Sequence, residues 1–328
     1  MQDKPCIFII GPPNIAEDTI SNFEALCHVT VIYGTHSDDD EMVDALRQGN
    51  TQGYDLVFPE TTSAYLLRGE NLLHPLNFAN IPNFANIDDV FKNRSFDPGN
   101  VYTVLYLWGS VGVGYRKSAV PAPITSWNQV FQADARVAWI NDDRLMLGAA
   151  LNMLGLDPNT ENPADLDKAA AYLVANGRNV TVIADDVGQD LLVEGEVDIA
   201  IEYSGDIFQI IDQCRCDDYA YVIPDEGSYS DLTSMAVPSN APNPALAETF
   251  IDYILDPQVG ADIANYTVYG SPNRLSIEQG LIYEQYLTNT AIYPPREVIA
   301  KTYSLISDDN LEALFNDAWT KTLQTLGK

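Results

Sequence analysis

Three histidines, four cysteines and 47 carboxylates are the groups through which this chain could do chemistry, and their spacing excludes more than it selects. His28, His36 and His74 lack the intervals at which imidazoles and thiolates share a metal. None of the three falls in a recognised catalytic motif, so a histidine-based catalytic centre has no support. Cys6 lies in an apolar run and Cys27 just before another. Neighbouring strands could bring this pair within disulfide range, two free buried thiols being the alternative. Cys214-Arg215-Cys216 is too tightly spaced for an ordinary unstrained bridge. There is no G-x-S-x-G elbow, no G-x-x-x-x-G-K-[ST] phosphate loop and no H-E-x-x-H. An enzyme is therefore not expected, nor a metal or organic cofactor.

The carboxylates outnumber the 17 lysines and arginines and give a formal net charge of −30. Such a chain repels nucleic-acid phosphates and anionic lipid, which need clustered cations to displace their counterions. Most of the acid reads as a solvated coat, while a minority could draw cationic ligands toward a cleft. No apolar run reaches the 18 or so residues of a membrane span, and the most apolar stretch, 101–115, is broken by Gly109, Gly112 and Gly114. No charged-then-apolar leader precedes Cys6, so an exported protein with this start has lost its leader and Met1 is not native.

The elements that must position these groups follow a strand–helix rhythm. Strands are expected at 7–10, 29–33, 53–59, 137–140, 180–183, 197–203, 219–223 and 233–237. Helices are expected at 16–26, from 39, at 61–67, 144–154, 164–175, 189–193, 244–255, 257–266 and about 309–326. This alternation implies a mainly parallel sheet covered on both faces. A length of 328 residues suits two domains, and no low-complexity linker separates them. Two lobes joined by crossing strands rank above one large sheet. Gly109-Ser-Val-Gly112-Val-Gly114 misses the G-x-G-x-x-G spacing and runs into strand-like 113–116, so these glycines read as flexible backbone near a lobe crossing.

From Thr30 onward the chain resembles the periplasmic polyamine-binding proteins of ABC transporters, the putrescine- and spermidine-binding group. The resemblance is carried by Tyr54-Asp-Leu-Val-Phe-Pro59, Leu107-Trp-Gly109, Thr125-Ser-Trp127, Glu194-Gly-Glu196, Ser204-Gly-Asp206, Ala236-Val-Pro238 and Tyr253-Ile-Leu-Asp-Pro257. Ile292-Tyr-Pro-Pro295 and Ala318-Trp-Thr-Lys321 look specifically like the putrescine-binding branch. The resemblance implies an α/β, two-lobed periplasmic-binding-protein fold of type II, each lobe a mostly parallel sheet flanked by helices and hinged by crossing strands. The implied lobes are 1–113 with 235–275, and 114–234 with 276–328. It further implies a monomeric periplasmic protein that captures a small cationic amine and docks on membrane permease subunits.

In that family aromatic rings sandwich the methylenes of the amine while acids hold its ammonium ends. Tyr203 falls where a tryptophan is usual, Asp206 matches an ammonium-binding aspartate and Tyr269 a pocket tyrosine. Other positions depart. The first-strand Asn-Trp-x-x-Tyr motif is here Ile10-Gly-Pro-Pro-Asn14, which removes two aromatic walls, and Thr233 and Leu145 stand where acids are usual. Glu60, Glu202, Asp231 and Asp142 are new acids near these positions, each either a ligand group or a solvated carboxylate, and Asn14 and Thr62 complete the candidate set. A charge-assisted hydrogen bond contributes about 1.5–3 kcal/mol and a cation–π contact roughly 0.5–2, so losing two walls matters unless the new carboxylates compensate. The alternative is the same fold with another small solute, an amino-acid derivative or an anion. An anion would need helix N-termini or arginines such as Arg144 facing the cleft.

Overall fold

The computed structural model describes residues 6–11, 15–35, 39–50, 52–120, 122–214, 217–306 and 308–328. Nine strands are described: β1 (Cys6–Gly11), β2 (Thr30–Thr35), β3 (Leu56–Val57), β4 (Thr103–Arg116), β5 (Val137–Ile140), β6 (Val180–Ala184), β7 (Ile199–Tyr203), β8 (Tyr219–Val222) and β9 (Ser230–Ala236). The chain divides into two compact units. The first is Met1–Trp108 with Leu232–Thr288, the second Gly109–Asp231 with Asn289–Lys328, so the divisions fall inside β4 and inside β9.

In the first unit β1 pairs in parallel with β2 and β3, and β3 pairs antiparallel with β9. The expected strand at 53–59 is only Leu56–Val57, both fully buried. Asp39, Asp40 and Glu41 sit in the first turn of the helix Asp39–Arg47 and Arg47 in its last, each sign at the favourable end of the helix dipole. Buried carboxylates here are used to hold loops. Asp97 accepts from the amides of Val101, Tyr102 and Thr103, and Glu248 accepts from Asn77 N and Asn80 Nδ2. Both are 2% exposed, and donors of this kind supply the partners that burial of a carboxylate demands.

In the second unit β5 lies between β6 and β7, parallel to both, while β4 runs antiparallel to β7 and β8. All four residues of β5 are buried, which is why its sequence is continuously apolar. Trp127, Trp139, Phe131 and Phe315 fill the core around it. The helix Asp143–Met153 is capped by Asp142, whose carboxylate accepts from Leu145 N at 2.8 Å.

One reading of the sequence is corrected. The glycine-rich stretch is not flexible: Gly112 and Gly114 lie in the unbroken 14-residue strand β4. A Cβ on Gly112 would come 2.5 Å from Val222 O, and one on Gly114 2.5 Å from Ile207 Cδ1, so close packing requires these glycines. Cys214 is disulfide-bonded. Cys216 lies outside the described residues, as does His36, and the side chain of Cys6 is likewise not described. The Cys27 thiol is free. Among the described residues no helix is long and apolar enough to cross a membrane.

Candidate functional site

Parallel strands collect functional side chains at their carboxyl ends, where loops and helix starts converge. In the second unit β5 ends before Asn141 and Asp142, β6 before Asp185 and Asp186, and β7 at Glu202 and Tyr203. β7 then runs directly into the helix Ser204–Cys214, which the sequence reading did not anticipate and whose first turn carries Asp206. One carboxylate oxygen each from Asp186, Glu202 and Asp206 lies within 4.8 Å of the others. Among the described residues this is the one such group of acids, cysteines or histidines, and it would accommodate a single cation.

Glu202 is 1% exposed. Its Oε2 accepts from Gly188 N at 2.8 Å and its Oε1 from Tyr203 N at 2.9 Å. Its carboxyl faces that of Asp186, with an oxygen of each within 4.8 Å of the other. Burial first, then this contact with Asp186, pushes Glu202 up to about 8. Asp206 is pushed up to about 6 by burial and by the charges of Asp186 and Asp190. Among the described residues no lysine or arginine acts on either carboxyl. The cluster therefore holds negative charge at a cost that a bound cation would offset.

The structure brings Glu202, Tyr203 and Asp206 together. Tyr203 is half-buried against the unit's core. Asp142 stands at the end of the neighbouring strand β5 and is committed to its helix cap, with burial raising its carboxyl. Asp231, half-buried, lies near the start of β9. In the first unit, exposed Glu60 precedes the helix Thr61–Gly69, and half-buried Thr62 is in its first turn. Thr233, half-buried, is on β9 where it lies in the first unit, and half-buried Tyr269 follows the helix Pro257–Thr267. Asn14 lies outside the described residues.

Asp186 and Gly188 were not among the expected residues. Asp186 is one carboxylate among many in the sequence, marked only by its place just after an apolar strand. Gly188 matters because a Cβ there would fall 2.5 Å from Glu202 Oε2. Arg144, the basic candidate for an anion, is 9% exposed. It donates to Asn159 Oδ1 and Ile306 O, and its guanidinium lies 3.8 Å from the Phe315 ring centre, so it ties down the 304–306 segment.

Two mixed α/β units with interrupted chain segments, and acids gathered at the carboxyl ends of parallel strands, define a type II periplasmic-binding-protein fold. The spermidine/putrescine ABC transporter substrate-binding protein PotD from Streptococcus pneumoniae shares it with a TM-score of 0.90 at 25% identity, covering 98% of this chain and 99% of that one. Residues 18–291 match the bacterial extracellular solute-binding protein family, and the chain belongs to that family. Among its relatives, the putrescine-binding periplasmic protein SpuD of Pseudomonas aeruginosa is 28% identical over 329 residues, covering 94% of this chain and 88% of the relative. The spermidine/putrescine-binding periplasmic protein of Salmonella typhimurium is 28% identical over 293 residues, covering 88% and 82% respectively.

Proposed function

We propose that this protein is the solute-capturing component of an ABC uptake system for a polyamine or a related cationic amine. The observation that carries the reading is the Asp186–Glu202–Asp206 cluster, three converging carboxylates with no guanidinium or ammonium among the described residues acting on the two that are shifted. An ammonium end supplies the missing charge and several N–H donors. Tyr203 offers a ring beside it. Tyr269, Glu60, Thr62 and Thr233 of the first unit, with Asp231 and Asp142 of the second and Asn14, are the further proposed ligand contacts. The protein carries out no reaction on its ligand. It works as a monomer outside the cytoplasmic membrane and delivers its cargo to permease subunits.

A thermal-shift panel of putrescine, cadaverine, spermidine, spermine, agmatine, amino acids and simple anions tests the reading. A ligand that binds only the folded chain raises its melting temperature by mass action. At least one amine is expected to do so. A response confined to neutral or anionic compounds rejects the proposal. Asp206→Asn is expected to weaken the responding amine about tenfold or more, because it removes a counter-charge.

A further inference from the structure

Tyr106 is 4% exposed, on strand β4 in the first unit, and its hydroxyl is buried without a hydrogen-bond partner. Buried polar groups are almost always paired, so an orphaned hydroxyl that persists asks for a reason. Its surroundings supply one. The Phe58 ring meets Tyr106 edge-on with centroids 4.9 Å apart. Tyr33 lies close enough to act electrostatically on the Tyr106 hydroxyl. The Tyr33 hydroxyl in turn sits over Gly11, 2.5 Å from where a Cβ would be, and Phe58 Cδ2 is 3.0 Å from the same point. Gly11 ends β1, Tyr33 is near the end of β2, and Phe58 directly follows β3. Three rings and one unspent hydroxyl are thus gathered at the carboxyl ends of three parallel strands, the edge at which open α/β sheets bind ligands.

We infer that Tyr106 is a specificity-determining residue of the first unit, its hydroxyl accepting a hydrogen bond from an amine nitrogen of the ligand while the Tyr33 and Phe58 rings take the neighbouring methylenes. The inference rests on the amine-binding reading above. Burial keeps the Tyr106 hydroxyl neutral, since it pushes the group well above its ordinary range, so a lone pair is available to an N–H donor. Gly11 has a part in this. Any side chain at that position would displace the Tyr33 hydroxyl.

The test is Tyr106→Phe, which removes one oxygen and leaves the ring. Putrescine and spermidine binding is measured by titration calorimetry on the wild-type and variant proteins, with melting of both in the absence of ligand. Affinity for the amine that binds wild type is expected to fall about tenfold, the value of a hydrogen bond to a charged group. The ligand-free melting temperature is expected to hold or rise, because an unpaired buried group has been removed. A ligand-free melting temperature that falls while affinity holds makes the hydroxyl structural and overturns the inference. Unchanged affinity with unchanged stability overturns it too. Failure of wild type to bind these or any other amine of the panel overturns the amine reading itself, a separate outcome. Gly11→Ala gives a second readout: weaker binding is expected as Tyr33 moves, and unaltered affinity contradicts the assigned arrangement.

Discussion

Asp198 and Glu202 stand at opposite ends of one strand, the first just before β7 and the second near its close. Asp198 accepts from Arg116 Nη2 at 2.5 Å and from Arg136 Nη2 and Nε at 2.8 and 3.0 Å. The two guanidiniums hold it well below the usual carboxylate range. Glu202 has only backbone amides and another acid, and is raised. The same chemical group is pushed in opposite directions across a few residues. Where the chain needs structure it spends its scarce arginines on an acid; at the carboxyl end of β7 no lysine or arginine among the described residues acts on Glu202 or Asp206. In a protein with 17 basic residues that distribution separates an acid that cross-links from an acid that waits for a cation.

Glu202→Gln should give the largest effect and should move binding and stability in opposite directions. The folded-state value of about 8 exceeds the ordinary 4.5. The stability that comes from keeping Glu202 protonated is therefore complete below about 4.5 and is lost as pH rises through 8. The variant, neutral at every pH, should escape that loss. Its ligand-free melting temperature at pH 8 is expected to exceed that of wild type by an amount equivalent to a few kcal/mol, at about 1.4 kcal/mol per unit. Its affinity for the amine that binds wild type should fall more than tenfold. A variant less stable than wild type at pH 8 would mean that Glu202 is a structural acid like Asp198.

Asp198→Asn should behave in the opposite way. It strips the shared counter-charge from Arg116 and Arg136 and is expected to cost about 1–3 kcal/mol, read by chemical denaturation at pH 7. Because the folded-state value is depressed, the contribution of Asp198 is present above its ordinary 3.8 and is lost as pH falls through the folded value. The variant and wild type should thus converge in acid. Amine affinity should stay within about twofold; a larger loss would place Asp198 in the binding machinery and dissolve the contrast.

Much of this scaffold was legible in the sequence because periodicity and capping act locally. Val137–Ile140 reads as a buried strand from its apolar run, and the helix near 144–154 from the spacing of Leu147, Leu151 and Leu154. Two features escaped. The helix Ser204–Cys214 begins with no break after β7, so Ser204-Gly205 read as the end of an element. The glycines of β4 read as loose because what they admit, Val222 and Ile207, lies far away in sequence. The site was legible only in part for the same reason. Tyr203 and Asp206 stood out through resemblance, whereas Asp186 joins them through the pairing of β5 with β6 and β7, which no local pattern encodes. The loss of aromatics at 10–14 was visible in the sequence, but the rings beside Gly11, Tyr33 and Phe58, come from other strands.

Gly188→Ala should produce the smallest effect and tests the cause of the contrast without touching any charge. An added Cβ would lie 2.5 Å from Glu202 Oε2 and 3.1 Å from Ala200 Cβ. The Glu202 side chain can move, whereas β7 is locked in its sheet, so the carboxyl should give way and lengthen its bond to the Gly188 amide. Gly188 starts the helix Gly188–Glu194, where alanine is favoured over glycine by up to about 1 kcal/mol, so net stability should change little. Amine affinity is expected to fall about threefold to tenfold, with the titration of Glu202, followed by carbon NMR of its carboxyl, shifted from its wild-type midpoint. That shift separates displacement of the carboxyl from general loosening, which would leave the midpoint alone and lower the melting temperature. If alanine leaves both affinity and midpoint where glycine had them, the placement of Glu202 is not what tunes this end of β7, and its contrast with Asp198 rests on the arginines alone.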